Sequence, residues 1–347
     1  MAGKTRLAAF TTAAALLGLS CVPTLVCAQT PAVTYEAAFD LRARTGIGSG
    51  AMQKPLRTPH TSSARIRADL GGGLSAEAWA ADRYAGLGVL QATLEKEWSG
   101  GSESGRSQRL AIGILPLPFG VWDTRETYAS GLIDYPLARS DYALHSVDWA
   151  VNGARYTAVL SPRLQIEGAA FAGRATGLWN NHNQVSGGVL RVQTYLPNAP
   201  GGALILGASR WDGRQTTTFE DTNARAVHLN GLDARFTRPH LTLRGEFLWG
   251  TLAGDAMRGA YLDAFYHLPG LGGKWTLAAR GEIFEWQPNV NAARQVTLGA
   301  RYIATPEWTL AVNWRRNYLA PNYAPNAWTP RSARGGDLLF QIYRKVK

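Results

Sequence analysis

The chain has 347 residues, of which 46% are apolar, and its 36 Lys and Arg against 25 Asp and Glu give a formal net charge of +11. Beyond the N-terminal segment no stretch has the roughly 18 consecutive apolar residues of a transmembrane helix, so only a closed barrel of strands could carry this chain across a membrane. Both cysteines, Cys21 and Cys27, lie near the N-terminus, which leaves the rest of the chain without disulfides or a cysteine-based zinc site.

The N-terminal segment has the pattern of a secretion signal. Two basic residues precede an apolar run over 7–19 that is too short for a stable membrane anchor, and residues 26–28 suit a signal peptidase. We therefore expect a cleaved signal peptide over residues 1–28 and a single mature domain over 29–347. Export argues against nucleic acid as a partner, so the basic excess suits anionic lipid headgroups or anionic solutes.

After residue 28 one pattern repeats along the chain: runs of about ten residues alternate apolar and polar side chains and are separated by Gly, Pro, Asn or Asp. This period of two predicts strands with one apolar and one polar face, as where Trp275 and Leu277 oppose Arg280. Two runs change phase midway, near Gly153 and near Gly231, where we expect β-bulges. About 16 strands are predicted, over residues 33–43, 62–70, 74–83, 86–98, 107–116, 146–160, 162–174, 185–197, 201–213, 224–237, 239–251, 256–269, 273–286, 292–304, 307–318 and 334–346.

Connections and tryptophans favour a membrane barrel over a soluble sandwich of sheets. Short connections such as Ser161-Pro162 alternate with long ones such as 116–145, as in barrels with short periplasmic turns and long outer loops. Trp275 and Trp286 bracket one run at the spacing of a tilted transmembrane strand, and tryptophan is favoured at bilayer interfaces. The sequence therefore predicts an all-β fold, a transmembrane antiparallel barrel of about 16 strands in the outer membrane of a Gram-negative-type bacterium.

The polar faces of these strands are expected to line a central lumen. The predicted basic lining residues are Arg42, Arg65, Arg67, Arg109, Arg163, Arg191, Arg235, Arg244, Arg280, Arg301 and Arg315. The predicted acidic ones are Glu36, Asp40, Asp69, Glu95, Glu97, Glu167, Asp233, Glu246, Asp263 and Glu282. Because the two sets are nearly equal, we expect a wall of cross-strand ion pairs around water, and net charge alone does not identify an anion filter.

The segment over 116–142 is the most distinctive of the chain. It follows a predicted strand and carries the five charged residues that we take as candidates for a constriction, Asp123, Arg125, Glu126, Arg139 and Asp141. Charged side chains at a narrow point of a pore select among ions. The residues themselves leave open whether 120–142 folds inward or forms an ordinary external loop.

At this segment the chain resembles a known class of channel. Pro118-Phe119-Gly120 closes a strand before a long charged loop, and this motif, together with the strand count, is similar to the phosphate-selective porin O/P type of outer-membrane channel. The resemblance implies a 16-stranded trimeric channel whose inward-folded loop forms the constriction. It also implies that Arg125 and Arg139 contact the solute.

No pattern in the sequence indicates an enzyme. A hydrolase needs a nucleophile with an oriented base, and the six histidines lie near no recognisable serine or aspartate motif. Asp263 and His267 share a face of one predicted strand but are too far apart along it for a direct bond. We therefore expect no catalytic, cofactor-binding or metal site.

The function predicted from these features is passive diffusion of small hydrophilic solutes, with anions as one class. The expected partners are those solutes, outer-membrane lipid and lipopolysaccharide, the barrel-assembly machinery and, as the resemblance implies, two further copies in a homotrimer. One alternative is a non-conducting barrel that anchors or assists the export of surface polymers. Another is a soluble exported carbohydrate-active β-protein.

Overall fold

The computed structural model contains 16 antiparallel strands that close into one barrel. It describes residues 32–47, 56–82, 87–99, 106–120, 131–133, 136–137, 150–174, 184–216, 223–252, 254–286, 291–319 and 334–346. The strands are β1 (Ala32–Ile47), β2 (Leu56–Gly71), β3 (Leu74–Asp82), β4 (Leu87–Ser99), β5 (Ser107–Pro116), β6 (Ala150–Ser161), β7 (Leu164–Arg174), β8 (Gln184–Ala199), β9 (Gly202–Gln215), β10 (Arg225–Thr237), β11 (Leu241–Leu252), β12 (Asp255–His267), β13 (Trp275–Trp286), β14 (Asn291–Ile303), β15 (Trp308–Leu319) and β16 (Arg334–Val346).

Each strand pairs with its sequence neighbours, and β1 pairs with β16 to close the ring. Closure matters because the strand edges would otherwise leave backbone groups without partners in lipid. The predicted all-β barrel of 16 strands is confirmed, and the predicted bounds of β5 and β16 agree with the structure to the residue. Among the described residues, no helix is both long and apolar enough to cross a membrane.

The two faces of the wall differ in the way that period-two alternation requires. On β12 the exposed Leu262 and Tyr266 alternate with the buried Tyr261, Asp263 and Phe265. The exposed face is the outer one, and it carries large apolar side chains around the ring, as a surface that contacts hydrocarbon needs. The buried face points into the barrel.

The prediction of β-bulges near Gly153 and Gly231 was wrong. Gly153 pairs with Gly113 and Phe171, and Gly231 pairs with Ser209 and Leu248, in ladders that continue without a shift at these residues. The strand geometry stays regular, and what changes is which face of the strand carries the apolar side chains. On β10, the stretch before Gly231 turns apolar side chains inward and polar ones outward.

This inversion follows from the position of the stretch in the barrel. Val227 and Leu229 are fully buried inside, whereas His228 on the same stretch is exposed outside. The long-loop end of this wall therefore encloses an apolar interior and presents a polar exterior, the reverse of the membrane-contacting part below it.

Candidate channel lumen

The buried wall carries arginines that pair with carboxylates of neighbouring strands. Arg244 and Arg280 both bind Asp263, at 2.7 Å and 2.6 Å, and Arg315 binds Asp337 at 2.8 Å. All five side chains are at most 3% exposed. Removing charges from water is costly, so such groups are stable only as hydrogen-bonded pairs.

Arg191 on β8 reaches past β9 to a carboxylate on β10. Its two terminal nitrogens donate to the two carboxylate oxygens of Asp233, at 2.7 Å and 2.9 Å. Gly207 lies between them on β9, and a Cβ there would come within 2.5 Å of Asp233 Oδ2. The absence of a side chain at Gly207 therefore makes room for this bidentate pair.

Along β2 to β5 the inner charges are more exposed. Arg65 binds Glu77 at 2.7 Å with 28% of its side chain exposed, and Arg109 lies 3.6 Å from Glu95 with 40% exposed. Arg42 binds Asp40 at 2.8 Å and is nearly buried. Water reaches the wall along β2 to β5 far more than along β11 to β15.

The segment between β5 and β6 enters the barrel. Asn313 on β15 holds it twice: the Ile133 N–H donates to Asn313 Oδ1 at 2.7 Å, and Asn313 Nδ2 donates to the Gly131 carbonyl at 2.8 Å. Arg42 donates to the Ile133 carbonyl, and the Leu137 N–H donates to Glu282. Residues 131–137, as far as they are described, therefore form a tip fixed to the inner wall.

Close backbone contact explains the glycines beneath the tip. Gly131 has φ +92°, and a Cβ there would lie 3.1 Å from the Cβ of Arg301. Gly299 on β14 faces the tip, and a Cβ on it would lie 3.0 Å from the Gly131 carbonyl oxygen. Leu132 packs with Phe265 and Ala278. This fit requires glycine on both surfaces.

An apolar cluster fills the interior above the tip on the side of β6 to β14. Phe119 and Leu137 of the inward segment meet wall residues such as Leu229, Leu248 and Phe284, all at most 2% exposed. Gly120 N–H donates to Ser209 Oγ at 3.1 Å and fixes the start of the segment. The segment is thus held by apolar packing as well as by hydrogen bonds.

Little room remains between the tip and the wall behind it. A cavity of about 10 Å³ lies there, close to the space that one water molecule needs. Its lining consists of Leu132, Arg280, Gln295, Thr297, Asn313, Arg315 and Leu339. The space between the tip and this part of the wall is therefore filled.

No protein-family model matches the chain, and no curated protein matches it. Solved structures do. OmpF of Salmonella typhi, in a complex with daunomycin, superposes with a TM-score of 0.64 at 9% identity over 90% of this chain and 97% of that one. The anion-selective porin of Comamonas acidovorans gives 0.59 at 15% identity over 91% and 100%. The outer-membrane channel DcaP of Acinetobacter baumannii gives 0.59 at 10% identity over 94% and 100%.

The chain has the fold of the outer-membrane porins. All of its described strands take part in that fold, which occurs in proteins of the Gram-negative outer membrane. At 9–15% sequence identity the similarity extends to the fold alone, so the lumen is described from the residues of this chain.

The structure places the predicted residues of this porin-fold lumen in different settings. Arg67 is exposed on the inner face of β2, and Arg163 lies in the turn between β6 and β7 rather than in a strand as predicted. Arg301 lies on the inner face of β14, where its Nη2 donates to Thr276 Oγ1 at 3.1 Å. The predicted constriction residues Asp123, Arg125, Glu126, Arg139 and Asp141 lie outside the described residues.

Arg155 was missed by the sequence analysis. It lies half-buried on the inner face of β6, opposite Ala111 on β5 and Ala169 on β7. Because a bulge was expected near Gly153, the side chains next to it could not be assigned to the inner or the outer face. The regular ladder through Gly153 would have identified Arg155, because it lies two residues before the inward-facing Thr157.

Arg155 and Arg301 differ from the paired arginines of the wall. Within the described part of the chain, neither has a carboxylate within salt-bridge distance. Burial of a cation without a counter-charge is unfavourable, so an anion that paired with either guanidinium would stabilise it. In a ring of 16 strands, β6 and β14 lie eight strands apart, on opposite sides of the lumen.

The described residues include no group of three or more His, Cys, Asp or Glu side chains that could hold a metal ion. Asp263 is held by its two arginines, and His267 Nδ1 instead lies 3.0 Å from Thr276 Oγ1. The two residues therefore belong to different hydrogen-bond groups.

Proposed function

We propose that this protein is an outer-membrane channel for passive diffusion of small hydrophilic solutes, and that it favours anions. The observation that carries the proposal is the pair of half-buried lumen arginines, Arg155 and Arg301, that lack a carboxylate partner among the described residues. The porin fold supports the channel itself, and the N-terminal signal over 1–28 supports export.

The path of the solute follows from the filled and the hydrated sides of the lumen. The apolar cluster occupies the interior on the side of β6 to β14, and the tip packs on β12 to β16. The arginines behind the tip are almost fully buried. Arg65 and Arg109 keep substantial exposure on the other side. A solute that crosses the barrel would thus pass Arg109 and Arg155 on one wall and the tip on the other.

The arginines along the proposed path favour anions because they are not fully balanced by carboxylates. The exposed arginines Arg65 and Arg109 are partly neutralised by Glu77 and Glu95. Arg155 has no such neighbour and is flanked by alanines, so its field extends into the lumen. Between low-dielectric walls an unpaired charge concentrates counter-ions, which raises anion over cation flux.

A reversal-potential measurement in planar bilayers under a potassium chloride gradient tests this proposal. We expect the wild type to show anion preference and the double variant R155Q/R301Q to lose most of it. The matched control is R294Q/R316Q, which removes two arginines from the outer face of the same barrel. Equal reversal potentials in the lumen variant and the wild type would reject the proposed role of these arginines.

A non-conducting barrel that assists polymer export is the second candidate. The apolar cluster favours this candidate, because it already fills one side of the lumen and a small further obstruction would close the barrel. Folded protein that inserts into bilayers without opening would support this candidate. The apolar outer face does not suit a soluble carbohydrate-active protein, and we propose a role without catalysis.

We also propose the partners that the fold and the sequence suggest. Assembly by the barrel-assembly machinery and contact with lipopolysaccharide follow from an outer-membrane location. A homotrimer is supported by likeness to OmpT of Vibrio cholerae in its trimer form, at a TM-score of 0.59 and 11% identity. Selectivity for phosphate, as in the porin O/P type, remains a prediction from the resemblance.

A further inference from the structure

Three arginines form a row on the outer face of the barrel, on the half that comprises β12 to β15. Arg258, Arg294 and Arg316, here called the arginine row, are exposed and lie on β12, β14 and β15. Arg294 pairs in register with Tyr318, and Arg316 pairs with Val296, so Arg294 and Arg316 are diagonal neighbours about 7–8 Å apart. Arg258 lies two strands away, about 12 Å from Arg294.

The arginine row lies at one height, where the apolar outer face ends. Tyr266, Tyr302 and Trp308 begin the apolar face next to the short turns, and each arginine of the row lies eight residues further along the same strand. Eight residues of a strand tilted by about 40° rise by about 20 Å, close to the roughly 25 Å apolar band of such barrels. The row therefore meets the headgroup level of the outer leaflet.

The arginine row carries unbalanced positive charge. Arg258 forms an ion pair with Glu285, whereas Arg294 contacts no carboxylate in the described part of the chain and Arg316 stacks over Tyr318 at 5.6 Å. On β9 and β10, by contrast, Arg210 and His228 both bind Asp212, at 2.6 Å and 2.8 Å. On the same two strands the exposed Arg214 donates to the Ala224 carbonyl rather than to a carboxylate. Three arginines against one glutamate on β12 to β15 therefore leave a larger positive excess than two arginines against one aspartate on β9 and β10.

Apolar residues lie directly below the row. Ile283, Val296 and Trp314 occupy the next outward positions toward the short turns, and they are at least partly exposed. A ligand that fits both levels has anionic groups above and acyl chains below. Arginine binds phosphate strongly because its planar donors match the phosphate oxygens.

We propose that the arginine row is a binding site for a phosphorylated glycolipid of the outer leaflet, with its phosphates on Arg294 and Arg316 and its acyl chains on Val296 and Trp314. The proposal rests on the outer-membrane location proposed above, but it does not depend on conduction. Because Asp212 balances Arg210 on β9, the positive excess there is smaller, and bound glycolipid is expected at β12 to β15 first.

Binding of diphosphoryl lipid A to the purified protein in detergent tests the proposal, with dephosphorylated lipid A as the comparison ligand. Each arginine near an anionic lipid surface contributes a factor of about five in affinity, so the triple variant R258Q/R294Q/R316Q is expected to bind roughly 100-fold more weakly. The wild type is expected to prefer the phosphorylated ligand, and the variant is expected to lose that preference. The matched control R67Q/R163Q/R238Q removes three exposed arginines on the short-turn half of the barrel and is expected to bind as the wild type does.

Several results would overturn this assignment. Equal affinity of the wild type and the outer-face variant would place the lipid elsewhere, and displacement by excess inorganic phosphate alone would indicate a site for the free anion. Dissociation of an oligomer in the outer-face variant would identify the row as a contact between copies. Reversal potentials are measured on the same preparations. Because the arginine row does not line the lumen, loss of lipid binding in the outer-face variant is expected to leave the ion selectivity of the channel unchanged, so the two proposals can fail independently.

Discussion

Asn313 is expected to control whether the inward segment stays on the wall. The substitution Asn313→Leu preserves approximate volume but removes the two hydrogen bonds that Asn313 makes to the tip, from Ile133 N–H at 2.7 Å and to the Gly131 carbonyl at 2.8 Å. These two backbone groups are buried, and each left unsatisfied costs about 1–3 kcal/mol. A total of about 3 kcal/mol raises the population of the detached tip by roughly 100-fold.

Chemical labelling of a cysteine at the tip measures that population. Leu132 is fully buried, and cleavage of residues 1–28 would leave a chain without other cysteines, so Leu132→Cys reports tip release through its rate of reaction with a membrane-impermeant maleimide. We expect the rate in vesicles to rise roughly 100-fold when Asn313→Leu is added, in line with the population estimate. The matched control is Asn317→Leu, on the same face of β15, since Asn317 bonds to Asp337 and Gln295 and not to the tip.

Two results would refute this reasoning. Equal labelling rates with and without Asn313→Leu would mean that the hydrogen bonds do not hold the tip. An equal acceleration by Asn317→Leu would mean that loss of any buried amide loosens the wall, so that the effect would not be specific to the segment. Single-channel recordings of the same variants show whether release changes the conductance.

Three further changes test other parts of the structure. Asp263→Asn removes the negative charge between two buried arginines and is expected to cost about 3–5 kcal/mol of folding stability in urea titrations. Asp69→Asn at the exposed end of β2 is expected to cost under about 1 kcal/mol. Leu262→Arg places a charge on the outer face and is expected to cost about 2–4 kcal/mol in lipid vesicles, with Leu271→Arg in an exposed turn as a neutral control. Phe119→Ala opens the apolar cluster and is expected to lower the unfolding free energy by about 3–5 kcal/mol, whereas a loss below about 1 kcal/mol would argue that the inward segment contributes little to stability.

The strands could be predicted from the sequence because contact with lipid imposes a strict rule on one face. Every outward position in the apolar band must be apolar, and period two then reveals each strand, as at residues 107–116 and 334–346. The rule fails where a strand leaves the band. On β10, Val227 and Leu229 point inward to an apolar cluster, and the sequence analysis interpreted that inversion as a bulge.

The ion-pair partners along the inner wall could not be predicted from the residues alone. Arg191 and Asp233 lie 42 residues apart on strands that are not adjacent, and the glycine between them decides their contact. The register of three strands is needed to identify such a pair. Spacing along one strand had indicated only which charges share a face.

The inward segment illustrates the limit of reasoning from charge. The charged residues of 120–142 are the candidates that the sequence predicts, whereas the residues that fix the described part of the segment are the apolar Leu132, Ile133 and Leu137. Apolar side chains within a long loop of a barrel indicate that the loop is buried somewhere, since an external loop would expose them. That signal was present in the sequence and would have favoured the inward placement.

Ion flow through the purified protein in a planar bilayer is the most direct test of the central claim. We expect stable single-channel currents, with a reversal potential in a salt gradient that indicates anion preference and that moves toward zero selectivity in R155Q/R301Q. Folded protein that inserts but carries no current would contradict the proposal that a hydrated path runs past Arg65, Arg109 and Arg155 on β2 to β6.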